Sequence, residues 1–343
     1  MQINIPGYGF DKYFPFMGAL HIEQVLLKVH SKLIDGSGLL EMISVAGMSI
    51  VGAGNALSSV HDIARARYVM QVVAASLYKL MHKAYQEAKS ELSLDEWIGQ
   101  IATENSNAFY WLMVLSFQKL ILICIHSQRV GNFKMYLACL QEIMKFIFVL
   151  DHIHLYSRWL SVHIFDLLCL EGIAPTILDE FLKGHFVITK SGRLHSSMAV
   201  DQAHEQHNAT IKSTSGGLEL LNKDDDGQAI LRAVVSLPEV IRIKEEYEAL
   251  TESKKTVKSE EHHESYSAFQ NRFYNNVKTV SSCFDVSFNP FSNSSPCLLT
   301  YLNNGKVMEN YIELDKSLRT METKGQQLYE EFVKNVLSNV QFP

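Results

Sequence analysis

Residues 62–90 read DIARARYVMQVVAASLYKLMHKAYQEAKS, and this stretch decides the fold class. Val69, Val73, Leu77, Leu80 and Ala84 recur at intervals of three and four, while Arg65, Arg67, Lys79 and Lys83 fall elsewhere on the projection. That spacing lays one apolar face along a long α-helix, which has to bury it against other helices. The segment is therefore expected to be a central element of the fold.

Upstream, Tyr13 to Met17 reads as a short extended stretch running into Gly18, and His21 to Leu33 takes helical spacing through Val25, Leu26, Val29 and Leu33. Strand, glycine turn and helix is the expected order. Asp35-Gly-Ser-Gly38 stops that helix, and the segment to Ser59 is small and glycine-spaced, with two short helices expected. Downstream, Ser93-Leu-Asp-Glu96 has the spacing of a capping box, so another helix starts there. Helices follow over 107–127 and 132–150, separated by Gly131, which suits a left-handed cap. A further helix covers 154–170, ended by Gly172, and Pro175 sits where the next short helix begins. His185 to Lys190 is β-branched and aromatic and reads as a strand. Helix is expected again over 196–212 and, after Gly216-Gly217, over 229–250 with Pro238 as a kink or boundary.

The fold class is accordingly mainly α: a large helical domain with a few short strands, supplied by the N-terminal segment and residues 186–190. The organisation expected along the chain is strand, turn and helix over 1–50, a helical region over 51–184, and a strand with polar helices over 185–250. A linker or mobile insertion rich in Glu, Lys, Ser and Asn is expected over 251–305, then a C-terminal amphipathic helix over 306–343, which docks back or binds a protein partner.

Composition narrows the function classes. Of 343 residues 47% are hydrophobic and 20% charged, with a formal net charge of -6 and both signs interspersed. No strong basic face is built, so tight, sequence-blind DNA binding is disfavoured. Five widely spaced cysteines without a C-x-x-C pair read as free thiols in a reducing, intracellular compartment, nuclear or cytoplasmic. The first residues lack the basic and apolar blocks of a signal peptide, and the longest apolar run, Phe109 to Ile125, is interrupted by Gln118 and Lys119. It reads as a core helix, with no membrane span expected.

The densest polar chemistry is Val200-Asp-Gln-Ala-His-Glu-Gln-His-Asn208, where Asp201, His204, Glu205 and Asn208 fall at i, i+3, i+4 and i+7. One helix face would offer two carboxylates and an imidazole, suited to a general base or a divalent ion, or else simply a solvated polar face. His204 and His207 are three apart, not four, so this is no zinc-protease signature. His21 and Glu23 sit just past Gly18, at a strand-to-helix handover or in the first turn of a helix, where Glu23 would favour the dipole. Asp151-His-Ile-His154 with Arg158, Trp159, His163 and Asp166 reads as a polar stripe buried between helices with its charges paired. Val51-Gly-Ala-Gly54 lacks the third glycine of a dinucleotide site.

Three blocks together resemble an uncharacterised, transposon-associated family multiplied in many invertebrate genomes. They are Phe16-Met-Gly-Ala-Leu-His-Ile-Glu23 with Asp35-Gly-Ser-Gly38; Gly131-Asn-Phe133 with Leu150-Asp-His152 and Arg158-Trp-Leu-Ser-Val-His163; and Gly184-His-Phe-Val187 with Val200 to Gln206 and Asn208. Order and spacing look like that family over residues 11–250. The resemblance implies a transposase-like polypeptide, related to RNase H-like nucleases that cut DNA with acidic residues and two divalent ions, Mg²⁺ or Mn²⁺. In that picture the strand before Gly18 belongs to a remnant α/β core. Glu205, Asp201 and His204 are the catalytic candidates, and Glu205, Asp201, His21 and Glu23 the metal ligands. Relatives look longer at the N-terminus, His207 replaces a small polar residue, and Lys212-Ser-Thr-Ser-Gly-Gly217 departs from a regular glycine-rich stretch. The resemblance therefore implies a truncated, transposon-derived protein without intact catalysis and with DNA as its ancestral partner. The alternative is a non-catalytic helical interaction module in which these residues serve packing and capping.

Overall fold

The computed structural model describes residues 14–45, 57–150, 156–189, 195–215, 242, 265–292 and 297–337. The chain divides into a larger unit, residues 1–201 with 270–343, and a smaller one, residues 202–269.

The larger unit is helical, as its apolar periodicity requires. In order it contains α1 (Ala19–Ile34), α2 (Leu39–Val45), α3 (Ile63–Ala88), α4 (Leu94–Glu104), α5 (Ser106–Val130), α6 (Phe133–Leu150), α7 (Tyr156–Leu168), α8 (Leu170–Ile173) and α9 (Pro175–Leu182). A two-stranded hairpin follows, β1 (Ile188–Thr189) antiparallel to β2 (Ser197–Met198). α10 (Val200–Ser215) starts in this unit and continues into the smaller one, and α11 (Tyr266–Ser287) starts in the smaller unit and continues into this one. α12 (Tyr311–Phe332) ends in a π-helical turn at Val333–Leu337.

Local signals set the helix ends. The Asp62 carboxylate accepts from the Arg65 amide at 3.0 Å and starts α3. Ser93 and Glu96 form a reciprocal capping box on α4. Gly131, at φ +68°, closes α5 in the left-handed region, and Pro175 occupies the first turn of α9, where an amide would have no partner.

α5 is the central helix and packs against α1, α3, α4 and α6. Trp111, Val114, Phe117 and Ile121 are almost fully buried along it; Phe117 meets Phe146 of α6 with ring centroids 4.8 Å apart, and Trp111 meets Phe284 of α11 edge-on at 5.8 Å. By length and composition α5 could cross a membrane. Its most apolar 18-residue window is 61% buried inside the protein, however, which is the situation of a core helix.

Three sequence expectations are corrected. Residues 14–18 form no strand: they enter α1 through Gly18 in extended conformation, and β1 pairs with β2. No remnant RNase H-like sheet is therefore built among the described residues. Residues 197–198, expected to be helical, are β2, so α10 starts at Val200. Finally, the described part of the expected linker, 251–305, is structured. It carries α11, and Val280, Phe284, Phe291, Leu299 and Leu302 are buried in the core. Asn107 at the start of α5 holds this segment through its side-chain amide, which donates to the Leu298 carbonyl and accepts from the Thr300 amide at 3.0 Å. The expected helix over 229–250, like Val51 to Gly54 and Asp151 to His154, lies outside the described residues, save for Arg242, which is helical.

The C-terminal helix docks back. α12 lies along α6 so closely that a Cβ on Gly325 would stand 1.7 Å from the Lys145 carbonyl oxygen. Lys145 pairs with Glu322 at 2.8 Å, and Phe148 meets Tyr329 and Phe332 at 5.7 and 5.9 Å. α12 is thus anchored on α6 through Met321 and Gly325, while Ile312 and Leu314 stay exposed.

Candidate functional site

α1 begins at Gly18, which has no side chain to cap the first amides of the helix. The cap comes from 180 residues away. The Asp201 carboxylate, in the first turn of α10, accepts from the Leu20 and His21 amides, both at 3.1 Å, and from His21 Nδ1 at 2.8 Å. A carboxylate here meets the positive end of the α1 dipole. A Cβ on Gly18 would stand 2.1 Å from Asp201 Oδ2, so glycine is what lets the carboxylate reach the helix end. Because an ionised carboxylate only accepts, Nδ1 of His21 is the donor in this contact.

One turn on, Glu23 is buried (3% exposed), and the Arg67 guanidinium of α3 donates to both its oxygens, Nε to Oε1 at 2.5 Å and Nη2 to Oε2 at 2.7 Å. This fork geometry satisfies a buried carboxylate where a lone amine would leave one oxygen bare. Arg129 of α5 stands behind. It donates to the Ser197 carbonyl at 3.2 Å, and burial, then the Arg67 charge, holds its guanidinium below the ordinary range against the opposing pull of Glu23. Glu23 thus faces two guanidiniums, Arg67 and Arg129, in a buried cluster joining α1, α3 and α5, while Asp201 of α10 caps α1 one turn before it. Below it the Cys124 thiol is pushed well up by its hydrogen bond with Cys139 and by burial, and the Tyr136 hydroxyl is pushed up by burial. Neither is an available nucleophile at neutral pH.

Of the residues chosen from sequence, His21 and Asp201 are in contact, and Glu23 is paired with Arg67. Their roles differ from those expected. Glu23 neutralises Arg67 rather than sitting on the helix dipole, and Asp201 takes the dipole position. His204, Glu205 and Asn208 are exposed on the following turns of α10, whereas Asp201 is turned against α1, so the four do not act as one polar face. Among the described residues no group of three His, Cys, Asp or Glu side chains is placed to hold a metal ion. Of the third cluster, Arg158, Trp159, His163 and Asp166 lie among the described residues. His163 is buried edge-on against Phe16 at 5.0 Å, its Nε2 has no partner, and burial lowers its pKa to about 4; burial also raises that of Asp166, and Trp159 is exposed.

Arg67 and Arg129 were missed. Both sit in helices whose other cationic residues face water. A signal did exist: Glu23 falls on the apolar stripe of α1 beside Ile22, Leu26 and Leu27, and a carboxylate there requires a buried cation from a neighbouring helix.

No curated protein and no solved structure matches the chain. Residues 90–343 match a family described as a domain of unknown function, DUF8702. The match takes in α4 to α12 and hence Arg129 and Asp201, but not His21, Glu23 or Arg67. On that span, well over half its length, the chain belongs to the DUF8702 family.

Proposed function

We propose that this chain is a transposable-element-derived helical protein without intact catalysis, working as a non-catalytic interaction module whose candidate site residues serve packing and capping. The observation that carries the reading is the saturation of its two inward carboxylates. Both oxygens of Glu23 are taken by Arg67, and both oxygens of Asp201 by α1 amides and His21. A divalent ion would have to displace a forked guanidinium and uncap a helix to reach them, and a two-metal site needs several carboxylates free to turn toward the ions. The transposase-like origin rests on the motif resemblance alone. The charge of -6 argues for a protein partner over DNA.

The test is a Mn²⁺ and Mg²⁺ titration read as thermal unfolding of the full chain, together with a strand-cleavage assay. Binding to the folded state alone would raise the melting temperature with ion concentration. The expected result is no ion-specific rise and no cleavage. A Mn²⁺-dependent rise that Glu205→Ala abolishes would overturn the reading and return Glu205 to a metal site.

A further inference from the structure

A concavity of mixed polar and apolar lining, separate from the Asp201 contact, opens further along α1 on the face that carries His21. Its volume is about 370 Å³, and Gln24, Lys28, Ser31 and Lys32 of α1 face Ser58 and Ser59 of the helical turn at 57–59 and Tyr156 at the start of α7. Val25 and Val29 supply an apolar floor. We infer that this concavity binds a small phosphate monoester, with Lys28 and Lys32 holding the phosphate and the valines taking the organic part.

Three observations carry the inference. Lys28 and Lys32 are one helical turn apart, so their like charges repel along the helix unless something anionic sits between them. Lys28 makes no polar contact among the described residues, and Lys32 donates only to the Leu150 carbonyl at 3.1 Å, which leaves donors on its ammonium for a ligand. None of the described lining residues is acidic, although the chain has 37 acidic residues against 31 basic ones. Two exposed lysines on a convex surface would be ordinary solvation; here they share a recess with the Gln24 amide and the Tyr156 hydroxyl, groups that can donate to phosphate oxygens. The recess is also held in shape from within the chain, because the Ser31 hydroxyl donates to the Ser58 carbonyl at 3.1 Å and joins two of its walls. Its size suits a small molecule rather than a polynucleotide track.

The experiment is calorimetric titration of the full chain with inorganic phosphate, a sugar phosphate, a nucleoside monophosphate and a short DNA duplex, at matched ionic strength, with sulfate as control. Lys28→Gln and Lys32→Gln, singly and together, serve as variants. Both lysines are exposed, so an unchanged melting temperature without ligand certifies the fold. A monoester is expected to bind more tightly than inorganic phosphate, and each substitution to weaken it about tenfold, as loss of one charged hydrogen bond does. Monoester binding equal in the double variant and the wild type, or no monoester binding at millimolar concentration, would overturn the proposal. So would duplex binding lost in the double variant with no monoester binding, since the lysines would then serve a nucleic-acid backbone.

Discussion

Replacing Glu23 by alanine tests the central cluster most directly. Glu23 and Arg67 have side chains only 4% and 15% exposed and share two charge-assisted hydrogen bonds. Removing one partner of such a pair leaves an unpaired charge where water cannot replace it, which costs about 3–5 kcal/mol. The Glu23 side has a further consequence, because Arg129 and Arg67 repel each other and Glu23 opposes that repulsion. Glu23→Ala strands two guanidiniums together; Arg67→Ala strands one carboxylate that still faces Arg129. Glu23→Ala should therefore be the more destabilising of the two, by about 1 kcal/mol or more, the cost of bringing like charges near each other at an effective dielectric near 20. The double variant Glu23→Leu with Arg67→Met should recover most of the loss, since well-packed apolar replacements of buried pairs are nearly neutral. Urea unfolding of the wild type, Glu23→Leu, Arg67→Met and their double variant gives the coupling energy, read from midpoints at constant slope. Equal, small effects for both single variants and a double that merely adds them would refute the reasoning, because the pair would then be neither buried nor coupled.

Asp201→Ala should cost about 1–2 kcal/mol through loss of the α1 cap, and Asp201→Asn less, since an amide oxygen still accepts. Gly18→Ala should reproduce most of that loss, because its Cβ needs the space that Asp201 Oδ2 occupies; a fully additive Gly18→Ala with Asp201→Ala would contradict the shared contact. His30 and His163 carry pKa values lowered by burial to about 4 from an ordinary 6.5. The unfolded chain binds more protons than the native one between those values, so stability is complete above about pH 6.5 and falls toward pH 4. Each histidine should remove about 3 kcal/mol across that window. His163→Leu should flatten the slope by about one proton near pH 5, and an unchanged slope would place His163 in water.

The mainly helical class was legible because it depends on local arithmetic. The apolar stripe from Val69 to Ala84, the Ser93–Glu96 capping box, the glycine at 131 and the proline at 175 each act within a turn or two of the chain, where propensity and orphan amides decide the outcome. α11 was overlooked for the complementary reason. Its core contact is a narrow stripe, Phe273, Val277, Val280 and Phe284, in a polar helix, and only the walls of α3 and α5 make that stripe enough. The same holds for the site. Sequence could mark His21, Glu23 and Asp201 as polar residues in unusual positions, and a carboxylate on the buried stripe of α1 demanded a cation. Which cation, and which residue would cap a helix beginning at a glycine, depended on folding α3 and α10 against α1. Arg67 lies 44 residues from Glu23, and Asp201 lies 181 from the Leu20 amide it accepts from. At such separations no spacing rule operates; the partner is whichever group the packed helices leave facing an unsatisfied charge or amide in a space closed to water, and only the tertiary structure decides that.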